Sequence, residues 1–176
     1  KGKKVVVVDL DLRKASLSMY VDNPKPGVSE YLNGDLADFH EALVRGTIRE
    51  ELDVLPCGAL PPNPAELLYS PRLEQMIKTL REEYDFVFLD CPPIEMLADS
   101  SIINNYVDLT LFVVRAELLE RSMLPKIDTM YKEKKYKNMA LILNGTMFAG
   151  GRYGYHKYGY YSKYGYYNKY GYGYTS

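Results

Sequence analysis

Apolar residues along positions 1–150 fall in short unbroken runs, separated by stretches with helical period. The run "KKVVVVDLDL" is β-branched and shows no alternation, which is the pattern of a strand covered on both faces in a parallel sheet. Four further runs read the same way: Leu52 to Leu55, stopped by Pro56 and Gly58, then Phe86 to Leu89, Leu109 to Val114, and Met139 to Leu143. Leu73, Ile77 and Leu80 recur at helical spacing behind Ser70 and Pro71, residues that suit a helix cap and first turn. Met123, Ile127 and Met130 do the same before the polar exit "KEKKYKN". Strand and helix alternating in this way predict an α/β fold, a parallel β-sheet with helices on both faces.

The pattern ends near residue 150, and the composition of the remaining segment changes the picture of the whole chain. Residues 151–176 contain 11 of the 18 tyrosines: Tyr153, Tyr155, Tyr158, Tyr160, Tyr161, Tyr164, Tyr166, Tyr167, Tyr170, Tyr172 and Tyr174. "YGYYSK" and "YGYYNK" are tandem six-residue repeats. Tyrosines on both faces of any strand, with glycine between them, give no packed fold to order, so a flexible tail is expected after a single domain over 1–150. From Arg152 onward there are four basic residues and no acidic ones, which leaves 18 basic and 23 acidic residues in the body. An acidic body carries a basic tail.

The overall net charge of −1 argues against a nucleic-acid partner. Cys57 and Cys91 lie far apart with no CxxC pair, so neither a disulfide framework nor a thiolate metal site is expected. No apolar run is long enough to span a bilayer.

In a parallel sheet, ligands bind beyond the carboxyl ends of the strands. Those ends carry Asp9, Asp11 and Arg13 after the first run, Asp90 and "CPP" after the third, and Asn144 and Gly145 after the fifth. Singly, each aspartate reads more readily as a cap for the next turn. Together, carboxylates from two strand ends suit Mg²⁺ that is also held by phosphate oxygens, and an aspartate directly after "FVFL" is the Walker B arrangement. Arg13 is placed either to hold a phosphate or to pair with Asp11.

"VVVVDLDLRKAS" resembles the Walker A' motif of bacterial tyrosine kinases, a hydrophobic strand followed by Asp-x-Asp-x-Arg, with Ala15 where proline often stands. "YDFVFLDCPP" resembles that family's Walker B, and "GALPPNPAELLYSPRLEQMI" is similar to the segment between the two. The tyrosine cluster completes the order. The sheet and Walker B alone would imply only the wider class that includes the Min and Par ATPases.

The resemblance implies a P-loop NTPase-like fold and use of ATP and Mg²⁺. It places Asp9 and Asp11 around the metal and the acceptor hydroxyl, Asp90 in support of the metal, and Asn144 at the adenine. It makes the tail tyrosines the phosphoacceptors.

It further implies a ring of copies phosphorylating one another's tails, a membrane-spanning polysaccharide co-polymerase segment or partner, an opposing tyrosine phosphatase, a place at the cytoplasmic face of the bacterial inner membrane, and control of exopolysaccharide or capsule export. No GxxxxGK[ST] loop occurs in the 176 residues. In the family that loop precedes the Walker A' strand, so the chain reads as the downstream part of a kinase domain, inactive alone. The rival readings are a non-kinase Min/Par-type ATPase switch, or an inactive scaffold whose tail another kinase modifies.

Each added phosphate brings about −1.5 to −2 charges, so two or three would cancel the tail's four positive charges and turn attraction to the body into repulsion. Tyr20, Tyr31, Tyr69, Tyr84, Tyr106, Tyr131 and Tyr136 are scattered and read as packing residues. Cys91 reads as a small core residue, His40 and His156 as lacking catalytic partners, and Arg115 and Arg121 as solvated charge.

Overall fold

A computed structural model describes residues 2–93 and 100–146. Strand β1 (Val5–Asp9) lies between β3 (Leu52–Leu55) and β4 (Phe86–Asp90), parallel to both. Register pairs Val8 with Leu55 and Asp9 with Asp90, so all three strands deliver their carboxyl ends to one side. Val6 and Val8 are fully buried, as a central strand covered on both faces requires. Strand β2 (Val44–Arg49) adds an antiparallel edge beyond β3. Its sequence "VRGTIR" is mostly exposed, with no apolar run to announce it, and its pairing is interrupted between Val44 and Arg49.

Helix α1 (Val28–Asn33) precedes this edge, and α2 (Pro64–Leu68) follows β3. Helix α3 (Pro71–Glu83) begins as expected, with the Ser70 hydroxyl accepting from the Arg72 amide and Pro71 in the first turn. Its buried stripe is Leu73, Met76, Ile77 and Leu80. Each such side chain contributes about 1.5–3 kcal/mol on leaving water. Together with Leu10, Leu12, Val28, Leu32 and Phe39 these form the main core.

Short helix α4 (Ser100–Tyr106) leads to β5 (Leu111–Arg115), then α5 (Leu124–Lys132) and β6 (Ala140–Asn144). β5 and β6 pair in parallel, but as a separate two-stranded sheet. The expected single sheet is therefore divided among the described residues, with β4 and β5 each paired on one side only. Phe86 and Phe88 on β4, and Leu111 and Val113 on β5, stand about half exposed instead of entering a core.

Candidate phosphate and metal site

The motif "DLDLR" alternates for a physical reason. Leu10 and Leu12 are buried in the core, and this anchors the turn that presents Asp9 and Asp11. The Leu10 amide donates to the Asp90 carbonyl at 2.8 Å, continuing the β1 to β4 ladder one residue past Asp9. Asp9, Asp11 and Asp90 are thereby brought to one place, close enough that the charges of Asp9 and Asp11 both act on Asp90.

The three carboxylates differ in what surrounds them. Asp9 is fully buried, and burial pushes its pKa up against the hydrogen bonds that favour its charge. Its Oδ2 accepts from the Ser18 hydroxyl at 2.7 Å and the Ser18 amide at 2.9 Å, while Oδ1 accepts from the Asp11 amide at 3.1 Å. Asp11 uses Oδ1 to accept from the amides of Arg13 and Lys14, at 3.3 and 3.2 Å, in a tight Asx-type turn.

Among the described residues no donor reaches the Asp90 carboxylate or Asp11 Oδ2. The Asp90 side chain reaches solvent on one side, yet burial on the other, followed by the charges of Asp9 and Asp11, raises its pKa. A carboxyl that no described donor reaches, crowded by like charges, has the chemistry that suits a cation.

Among the described residues no three His, Cys, Asp or Glu side chains form a ready-made metal cage. Mg²⁺ ordinarily takes one or two carboxylates together with waters and substrate phosphates, so the oxygen donors of Asp11 and Asp90 suit it in kind. The Arg13 guanidinium is exposed, and among the described residues it makes no ion pair with Asp11 or any other acid. Asn144 lies at the end of β6, in the two-stranded sheet, where its Oδ1 accepts from the Gly145 amide at 2.8 Å and the residue is exposed. The tail tyrosines lie outside the described residues.

Both cysteines are free, and burial raises each thiol pKa to about 12, which leaves them inert near neutrality. The structure adds to one expectation and corrects another. His40 does have partners: it bridges Asp38 and both oxygens of Glu83 and stacks on Phe39. Tyr20, Tyr69 and Tyr131 are exposed, while Tyr31 and Tyr136 do pack inside. Ser18 had no motif to announce it, because its role depends on Cys57, which is remote in sequence.

The match to known proteins agrees with this architecture. The model of the AAA domain family matches residues 1–143. A putative tyrosine-protein kinase EpsB of Ralstonia solanacearum is 36% identical over 176 residues, covering 99% of this chain and 22% of the relative. The kinase domain of the Escherichia coli tyrosine kinase ETK superposes with a TM-score of 0.73 at 28% identity, over 87% of this chain and 61% of that one. The septum site-determining protein MinD of Pyrococcus horikoshii, solved with Mg-ADP, reaches a TM-score of 0.59 at 28% identity, over 81% and 58% of the two chains.

The fold is that of an ATPase-class α/β domain. Within that class, the chain belongs to the AAA domain family and to its bacterial tyrosine kinases. It spans about a fifth of the length of the Ralstonia relative.

Proposed function

We propose that this chain is the downstream part of a bacterial protein tyrosine autokinase, which moves the γ-phosphoryl group of ATP to tyrosines in the C-terminal tail of a neighbouring copy. The observation that carries the reading is the Asp90 carboxylate, free of donors among the described residues and set beside Asp9 and Asp11 at the ends of β1 and β4.

Asp90 and Asp11 would hold Mg²⁺, which when bound offsets charge on the transferring phosphoryl group. Asp11 keeps Oδ2 open for the metal or for the tyrosine proton, whereas both oxygens of Asp9 are already committed to donors. Arg13, exposed and without an ion pair among the described residues, is available for a phosphate oxygen or the phosphorylated product. Asn144 would contact the adenine.

The phosphate-cradling loop belongs on a strand upstream of β1. Among the described residues β4 and β5 each have a partner on one side only, with Phe88 and Val113 exposed, which supports a place for one more parallel strand. The domain then consists of residues 1–150 with that upstream strand, followed by the acceptor segment 151–176. We assign the protein to exopolysaccharide or capsule export, at the cytoplasmic face of the inner membrane, held there by a co-polymerase segment or partner and reset by a tyrosine phosphatase. A net charge of −1 argues against a nucleic-acid partner.

The test is intact mass after incubation with Mg²⁺ and ATP, on the protein extended through the phosphate loop, as wild type and as Asp11→Asn. Multiple phosphates mapping to Tyr153–Tyr174 in the wild type, and none in the variant, are expected. ATP hydrolysis without phosphate gain would favour the Min-like switch, and gain only on adding a second kinase would favour the scaffold.

A further inference from the structure

Ser18 is 1% exposed and lies at the start of a single 3₁₀ turn, Ser18–Val21, that comes after the Asp-x-Asp-x-Arg motif. Its oxygen accepts from the Cys57 amide at 2.8 Å. An amide cannot accept in return, so the hydroxyl proton is committed to Asp9 Oδ2, 2.7 Å away. The Ser18 amide reaches the same oxygen at 2.9 Å. The other oxygen of Asp9 holds the Asp11 amide, and Asp11 in turn holds the amides of Arg13 and Lys14. An unbroken run of hydrogen bonds thus joins the exit of β3, at Cys57, to the turn that presents Asp11.

We propose that Ser18 is a positioning residue for phosphoryl transfer: through Asp9 it fixes the orientation of the Asp11 turn toward metal and acceptor. This rests on the kinase reading. The bland alternative is that Ser18 merely satisfies a buried amide. That role would cost stability when lost, but would leave the site's response to Mg²⁺ unchanged in the molecules that still fold. Oriented ligands behave differently, because a partner that aims a ligand changes metal affinity and turnover when it is removed.

The experiment uses the kinase extended through its phosphate loop, as wild type, Ser18→Ala, Ser18→Thr and Leu80→Ala. Leu80 is a core residue at the far end of α3, away from the strand exits, and serves as the control for lost stability. Two quantities are read for each: the Mg²⁺ concentration that half-saturates binding of fluorescent ADP, and kcat with KM for ATP in tail phosphorylation.

Ser18→Ala should raise the Mg²⁺ requirement or lower kcat by roughly 10- to 100-fold, with KM for ATP little changed. Ser18→Thr, which keeps the hydroxyl, should recover most of the loss. Leu80→Ala should melt earlier, yet keep both quantities per folded molecule. If Ser18→Ala does not fold, Ser18→Cys replaces it, similar in size but a weak donor.

The proposal is overturned if the Ser18 variants match wild type in both quantities, or if Leu80→Ala reproduces their losses. If the wild type binds Mg²⁺ and ADP but gains no tail phosphate, the kinase reading fails separately, and the Mg²⁺ requirement alone still decides the place of Ser18.

Discussion

Gly58 and Gly34 both hold left-handed backbone, at φ +83° and +96°, but their surroundings separate them. A Cβ on Gly58 would lie 2.0 Å from Glu30 Oε2 and 2.8 Å from the Gly27 nitrogen, whereas one on Gly34 would meet nothing within 4 Å. Glu30 is the clasp between α1 and the loop after β3. It accepts from the Gly27 amide at 2.9 Å, the Ala59 amide at 3.0 Å and the Ser29 hydroxyl at 2.9 Å. These bonds hold its carboxyl below the usual range even though burial pushes the other way.

Gly34→Ala should therefore cost only the left-handed penalty, about 1–2 kcal/mol. Gly58→Ala bears that penalty and also drives Glu30 off its donors. Each hydrogen bond to a charged group contributes about 1.5–3 kcal/mol, so a total of about 3–5 kcal/mol is expected. Urea denaturation of the two variants against wild type measures the difference, which should also appear as thermal midpoints several degrees apart, at about 2–4 °C per kcal/mol. Equal losses in the two variants would refute the crowding argument and leave backbone strain as the whole effect.

Charge leads to two further expected outcomes. Asp90→Asn should abolish tail phosphorylation while holding or raising the thermal midpoint at pH 7. The raised pKa of Asp90 means its ionised form costs stability at neutral pH, and that cost fades as pH falls through the raised value toward 3.8, so a lower midpoint for Asn at pH 7 would contradict it. Burial opposes the charge on His40, yet Asp38 and Glu83 raise its pKa above 6.5. Its charge-dependent contribution is thus complete below 6.5 and lost as pH rises through the folded value: the deficit of His40→Gln against wild type should be larger near pH 5.5 than at alkaline pH, checked by urea midpoints across that range, and a deficit that does not change with pH would contradict it.

The buried strands were legible because four consecutive valines have one sensible home, and α3 because its cap and stripe are local signals. The edge strand β2 was not legible, since an exposed strand containing arginines and Gly46 carries no hydrophobic signature. The three aspartates were found by their places at strand ends, but their unequal situations could not be, because Asp9 is saturated by a serine whose other partner lies 39 residues away. Likewise the two partners of His40 sit on different elements, one of them 43 residues distant. Pattern locates groups along the chain, while hydrogen-bond saturation is decided by tertiary folding. The exposed Tyr20, Tyr69 and Tyr131 teach the same lesson in reverse, because a lone aromatic has no period by which to assign a face.

On the proposed reading, in which an upstream strand lies between them, the pairing of β4 and β5 on one side only among the described residues has a consequence for assembly. A strand that enters late, between two partners already folded, acts as a keystone: the pieces on either side can form first and then be locked by its arrival. Such a domain can be divided at that seam and rebuilt from two chains, with nucleotide binding returning only on recombination. On the proposed kinase reading, competence is then switched by the supply of a single strand, at the level of folding, before any tyrosine is touched.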